Sequence, residues 1–122
     1  VFLCRAEPSS IGLSAIGAQL KPISLGDGGG VQIEFGDGDG SVLAPVAPGM
    51  VLPVKIKSWR ALNAGDSSIV TLRPSTIALD GERTLSLKPS DSASVTLSPD
   101  GPLVVDVDKT LRAAAELGHM RD

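Results

Sequence analysis

From residue 31 onward the chain is written with a period of two. Val31, Ile33 and Phe35 alternate with Gln32 and Glu34, and Leu52, Val54 and Ile56 alternate with Pro53, Lys55 and Lys57. Successive side chains of a strand point to opposite faces, so this alternation dictates sheets with one apolar face. Further short runs at 68–72, 76–79, 84–87, 93–97 and 103–107 are each bounded by Gly, Pro, Asp or Ser. Turn signals about every 8–12 residues between strands this short indicate antiparallel sheets packed as a sandwich. The expected fold class is mainly β: an antiparallel β-sandwich with a short N-terminal helix and a short C-terminal helix.

Val1–Cys4 reads as a short strand. Glu7-Pro8-Ser9-Ser10 then opens a helix, with a serine placed to cap its unpaired backbone N–H groups. Residues 11–20 carry apolar side chains at helical spacing, but two glycines and a serine weaken the segment. Each interior glycine costs about 1 kcal/mol against alanine. Small residues there instead leave room for another backbone or a ligand to come close. At the far end Asp108 is placed to cap a second helix, alanines favour it, and Gly118 stops it.

A chain of 122 residues is expected to form one domain with a core of ordinary size. Aromatic residues are 2% (Phe2, Phe35 and Trp59), so that core must be aliphatic. Few stacking platforms and a net charge of −3 argue against nucleic acid as a partner. No run approaches the roughly 20 apolar residues that cross a bilayer, so no membrane partner is expected. Cys4 is the single cysteine, which excludes an intrachain disulfide and suits a cytoplasmic, reducing compartment. Its apolar surroundings point to a buried structural thiol. The chain opens without Met inside a strand, so it reads as a piece of a longer protein.

Two glycine-rich loops, 26–30 and 36–40, invite sharper readings. Asp37, Asp39 and Ser41 match the first spacings of a calcium loop, but Pro48 stands where its bidentate glutamate belongs. Phosphate-cradling loops lead from a strand into a helix, and both loops here lie between strands. Both are therefore read as turns. His119 is the sole histidine and is expected to face solvent, so no metal site is predicted. Trp59 is expected to pack at a strand end.

Ile77-Ala78-Leu79-Asp80-Gly81-Glu82-Arg83 is a hairpin signal, because Asp-Gly between alternating runs suits a turn with two positive φ angles. The turn alone accounts for this sequence. It also presents two carboxylates, Asp80 and Glu82, at the tip of a sheet, as proton-transfer chemistry requires.

Arg5–Ile16, Ala47-Pro48-Gly49-Met50-Val51 and Ile77–Arg83 together resemble the ATP–NAD kinase-like family called acetoin catabolism protein X, which is similar to NAD kinases and more distantly to lipid kinases. The resemblance covers nearly all of this chain and only the C-terminal part of the family's protein. It implies an acceptor-side domain of an ATP-dependent small-molecule kinase. ATP and a divalent metal would be held by the protein's own N-terminal nucleotide-binding domain, and the domain is expected to form a homo-oligomer through its sheet edges. Ser9, Ser10, Gly12 and Leu13 fall on a segment that resembles the NAD kinase substrate motif and are implied to bind the small-molecule substrate. The tyrosine of that motif is absent. Asp80-Gly81-Glu82 resembles the lipid kinases' Asp-Gly-Glu, which implies Glu82 as the catalytic base and Asp80 as its catalytic companion. The competing reading is a non-catalytic β-sandwich module for ligand sensing or assembly.

Overall fold

The computed structural model describes residues 1–119 and 121, apart from the side chain of Asp39. In chain order the elements are β1 (Phe2–Leu3), α1 (Leu13–Leu20), β2 (Gly30–Ala47), β3 (Met50–Leu62), β4 (Ser67–Ile69), β5 (Ser75–Leu79), β6 (Arg83–Leu87), β7 (Ser94–Thr96) and α2 (Val107–Glu116). The protein is mainly β, with antiparallel pairing throughout and one short helix towards each end, as the alternation dictates. The strands form a three-stranded sheet in the order β1-β2-β3 and two two-stranded sheets, β4-β7 and β5-β6.

The long ribbon of β2 and β3 organises the molecule. Its apolar positions Val31, Ile33, Ala44 and Ile56 meet Ile16 and Ala18 of α1 and the flanking Ala6 and Ile23. These are aliphatic, as the near absence of aromatics requires. Gly17 explains why the helix tolerates a weak former: a Cβ there would stand 2.5 Å from Leu3 Cδ1 and 3.3 Å from Ala6 Cβ. The small residue lets helix and sheet approach closely, at the expense of helix propensity.

The loop 36–40 is not a connection between separate strands. It is an irregularity inside β2, where Phe35 and Gly40 both pair with Ile56. The insertion lies against β3, and a Cβ on Gly38 would fall 2.5 Å from Lys57 Cα and 2.8 Å from the Ile56 and Lys57 carbonyl oxygens. Backbone atoms cannot yield as a side-chain tip can, so only glycine fits there. The loop 26–30 is a turn, as read from the sequence: Asp27 Oδ2 accepts from the Ser24 N–H at 2.7 Å.

The same device closes two later turns. Asp66 accepts from the Asn63 N–H and Asp91 from the Lys88 N–H, both at 2.8 Å. Each aspartate satisfies a backbone donor that no strand takes up. The small β4–β7 sheet is joined to the ribbon by polar contacts. Gln32 Oε1 accepts from Arg60 Nε at 2.9 Å and from Ser68 Oγ at 2.6 Å.

The C-terminal segment departs from expectation. Residues 103–106 form no strand; the helix begins at Val107 and is capped by Asp106, whose Oδ1 accepts from the Lys109 N–H at 3.0 Å. No strand pairs with 103–106, so their alternation has no ladder to join, and Asp106 reaches the helix donor before Asp108 could.

Candidate functional site

The predicted hairpin forms with the predicted turn. Asp80 has φ 53° and Gly81 φ 75°, both left-handed. Aspartate tolerates that region better than most residues and glycine occupies it freely. The Glu82 N–H donates to the Leu79 carbonyl at 3.1 Å and closes the bend. The two carboxylates have different surroundings. Asp80 is paired with Arg83 at 3.5 Å, across the turn. Glu82 is exposed, and among the described residues its carboxylate has no hydrogen-bond or ion-pair partner. Both acids are exposed, Asp80 with an ion-pair partner and Glu82, among the described residues, without one.

The second set of candidate residues lies at the start of α1, where the serines act differently from the predicted cap. Ser10 Oγ donates to the Glu7 carbonyl at 2.6 Å, and Ser14 Oγ accepts from the Glu7 N–H at 3.0 Å. The cap position is Gly12, at φ 71° and without a side-chain hydrogen bond. A left-handed residue was needed where the chain enters the helix, and glycine meets that need where serine would be strained. The Gly12 N–H instead donates to the Pro45 carbonyl of β2 at 2.8 Å, which docks the helix start on the ribbon. Ser9 and Leu13 are exposed, while Ser10 and Gly12 are half-buried.

Among the described residues no hydrogen bond or ion pair joins Asp80 or Glu82 to Ser9, Ser10, Gly12 or Leu13. The helix start is tied to β2, whereas the acids stand at the tip of a separate two-stranded sheet. Among the described residues no group of three or more Asp, Glu, His or Cys converges, and the glycine loop inside β2 leads into no helix.

Sequence reasoning missed a recess of about 280 Å³ beside α1, lined by Leu20, Val42, Ile56, Lys57, Ser58 and Trp59. Trp59 is 47% exposed, stands opposite Ile33 within β3 rather than at its end, and also lines a second recess with Gln32, Glu34 and Arg60. The clue was available: an indole set between Lys57-Ser58 and Arg60 is an apolar body among polar neighbours. At its polar margin Glu34 accepts from Lys57 Nζ at 2.5 Å. That charged hydrogen bond, with the lysine's positive charge, holds the Glu34 carboxyl below the usual carboxylate range.

Cys4 is exposed, contrary to the buried thiol expected. β1 pairs only through Phe2 and Leu3, so the chain has already bent away from the sheet at Cys4. His119 is exposed beyond α2.

The family model of the Acetoin catabolism protein X C-terminal domain matches residues 1–100. The chain belongs to that family. It is 36% identical over 124 residues to the Acetoin catabolism protein X of Cupriavidus necator, covering 99% of this chain and 34% of that protein. The chain thus spans about a third of the length of the curated relative it matches. No solved structure matches it. Among the described residues no helix is long and apolar enough to cross a membrane.

Proposed function

We propose that this chain is the acceptor-side domain of an ATP-dependent small-molecule kinase of acetoin breakdown, acting in the cytoplasm as the closing part of a longer polypeptide. The observation that carries this reading is the unequal pair at the hairpin tip: Asp80 engaged with Arg83, Glu82 open. ATP with its divalent ion, held by the preceding portion, supplies the phosphoryl group. Phosphoryl transfer asks little covalent chemistry of a protein beyond positioning and a base for the attacking hydroxyl. Glu82 takes that proton, the Asp80-Gly81 bend with its Glu82-to-Leu79 backbone hydrogen bond holds the turn that carries it, and the Ser9 hydroxyl with the Gly12–Leu13 backbone contacts the acceptor. The test is phosphoryl transfer by the full-length polypeptide to a panel of hydroxylated small molecules. Glu82→Gln is expected to lower kcat by about 10²- to 10⁴-fold, the contribution of a positioned base. An unchanged kcat removes Glu82 from that role.

A second reading is favoured by the recess between Leu20, Val42, Ile56 and Trp59. In it the domain is a non-catalytic module that senses a small, mostly apolar ligand or assembles a homo-oligomer. Calorimetric binding of such a ligand, lost in Trp59→Ala and unaffected by Glu82→Gln, would favour it over the kinase reading.

A further inference from the structure

Residues 36–39 are extruded from the β2 ladder, because Phe35 and Gly40 on either side of them share Ile56 as partner. Gly38 seats this insert on the β3 backbone at Ile56 and Lys57. Just past it, Gly40 and Ser41 form one wall of the recess of about 280 Å³. The other walls are Leu20 at the end of α1, Val42, Ile56 and the indole of Trp59. Gly40 keeps the space open, since a Cβ on it would meet nothing within 4 Å. Glycine insert, helix end and indole therefore meet at one hollow.

Size, stacking and charge restrict its occupant. Small-molecule sites run to roughly 300–1,000 Å³, so a hollow at the lower edge of that range suits a single-ring compound. Trp59 is half-exposed there, and an aromatic ring against an indole gains from offset stacking beyond the area it buries. Lys57 is the one charged residue among the described residues that line the recess, and its Nζ donates to Glu34 Oε1 at 2.5 Å. Ser58 Oγ donates to the other oxygen of the same carboxylate at 3.3 Å. Lys55 is bound in the same way to Asp37 of the insert. Arg60 is turned to the second recess, where it donates to Gln32 and to the Ser67 carbonyl. The hollow thus offers an ion no free counter-charge, while Leu20, Val42 and Ile56 would strip its water. Two hydroxyls, of Ser41 and Ser58, remain at the rim for one uncharged polar group.

Resting on the ligand-sensing reading of the domain, we propose that the glycine insert and Trp59 form a binding site for a small uncharged aromatic compound. Its ring lies against the indole, and one hydroxyl or carbonyl group on it bonds to Ser41 or Ser58. The insert at 36–40 is then the element that shapes the site, and the Lys57–Glu34 pair is what keeps ions out of it.

Ligand-observed nuclear magnetic resonance titrations of the whole protein test this with benzyl alcohol, benzoate, benzylamine and cyclohexylmethanol, compounds of matched size. Benzyl alcohol is expected to bind at least about ten-fold more tightly than benzoate or benzylamine, whose charges must be desolvated. Cyclohexylmethanol, which cannot stack, should bind about three-fold more weakly than benzyl alcohol. Gly40→Leu adds a side chain on the side of its register partner Ile56, in this recess and not in the second. It should abolish benzyl alcohol binding with the circular dichroism of the sheet unchanged. Benzoate or benzylamine binding as well as benzyl alcohol overturns the uncharged class, and equal binding of cyclohexylmethanol overturns the stacking; either result leaves the ligand-sensing reading standing. Benzyl alcohol binding undiminished in Gly40→Leu overturns the site. Should that variant misfold, the four compounds on the unaltered protein still decide the ligand class. No binding of any of them at millimolar concentration defeats the ligand-sensing reading and this proposal together.

Discussion

Residues 1–62 contain every member of the core cluster, from Ala6 to Ile56, whereas residues 63–119 contribute one buried apolar side chain, Leu87. The first region is held by packing: α1 lies on a long ribbon, Gly17 sits against Leu3 and Ala6, and Gly38 sits against the backbone of β3. The second is held by turns: Asp66 and Asp91 each close one with a backbone hydrogen bond, and Asp80-Gly81 bends the hairpin that carries the candidate acids. The difference teaches that rigidity at the hairpin tip comes from backbone geometry rather than from a core. Chemistry there also depends on surface supplied from elsewhere to exclude water.

The sharpest way to break this contrast is to truncate one apolar side chain in each region. Ile33, which is 1% exposed, should lose about 3 kcal/mol on mutation to alanine, in the range of buried aliphatic truncations. Leu85→Ala, at an exposed position of β6, should cost less than about 0.5 kcal/mol. Urea unfolding followed by circular dichroism reads both, and equal losses would abolish the distinction. Next in size, Gly38→Ala should destabilise the ribbon by about 2 kcal/mol, the cost of forcing a methyl against fixed backbone, with the same readout. A neutral result would mean that β3 gives way at Lys57.

The smallest effect is confined to the second region. The backbone hydrogen bond from Lys109 holds the Asp106 carboxyl below its ordinary range. A carboxyl with a lowered folded pKa contributes stability above its unfolded pKa of about 3.9, and that contribution is lost as pH falls through the folded value. Acidification from pH 5 to below pH 3 should therefore fray α2 before the ribbon, seen as lost helical ellipticity with unchanged protection of β2. Simultaneous loss of both would show that the regions are coupled.

Much of the first region was legible because its signals are local. The alternation of Val31 to Phe35 and of Leu52 to Ile56 puts Val31, Ile33 and Ile56 in the core, although Phe35 and Leu52 at the same spacing stay exposed; in the second region Asp80-Gly81 fixes a turn by the same kind of local signal. What was illegible depends on partners distant in sequence. The run 103–107 alternates like a strand but finds no neighbour, so it becomes an unpaired lead-in to a helix capped two residues early. The glycines at 36–40 read as a turn between strands, whereas they form an irregularity within one strand, set by the fit of Gly38 against the backbone at Lys57. At the candidate site, local rules placed Asp80 and Glu82 on a bend. They carried no information on what the bend faces, because that is set by tertiary contacts. The serine cap failed for a similar reason: the Pro45 carbonyl, 33 residues away, takes the helix-start donor.

In a chain without tyrosine, Trp59 stands half-exposed against Ile33 with a recess to either side. This chain thus carries a single indole fluorophore at the margin of its best-packed sheet. Filling of either hollow, or loosening of the ribbon beneath it, will register in one emission spectrum with no competing background.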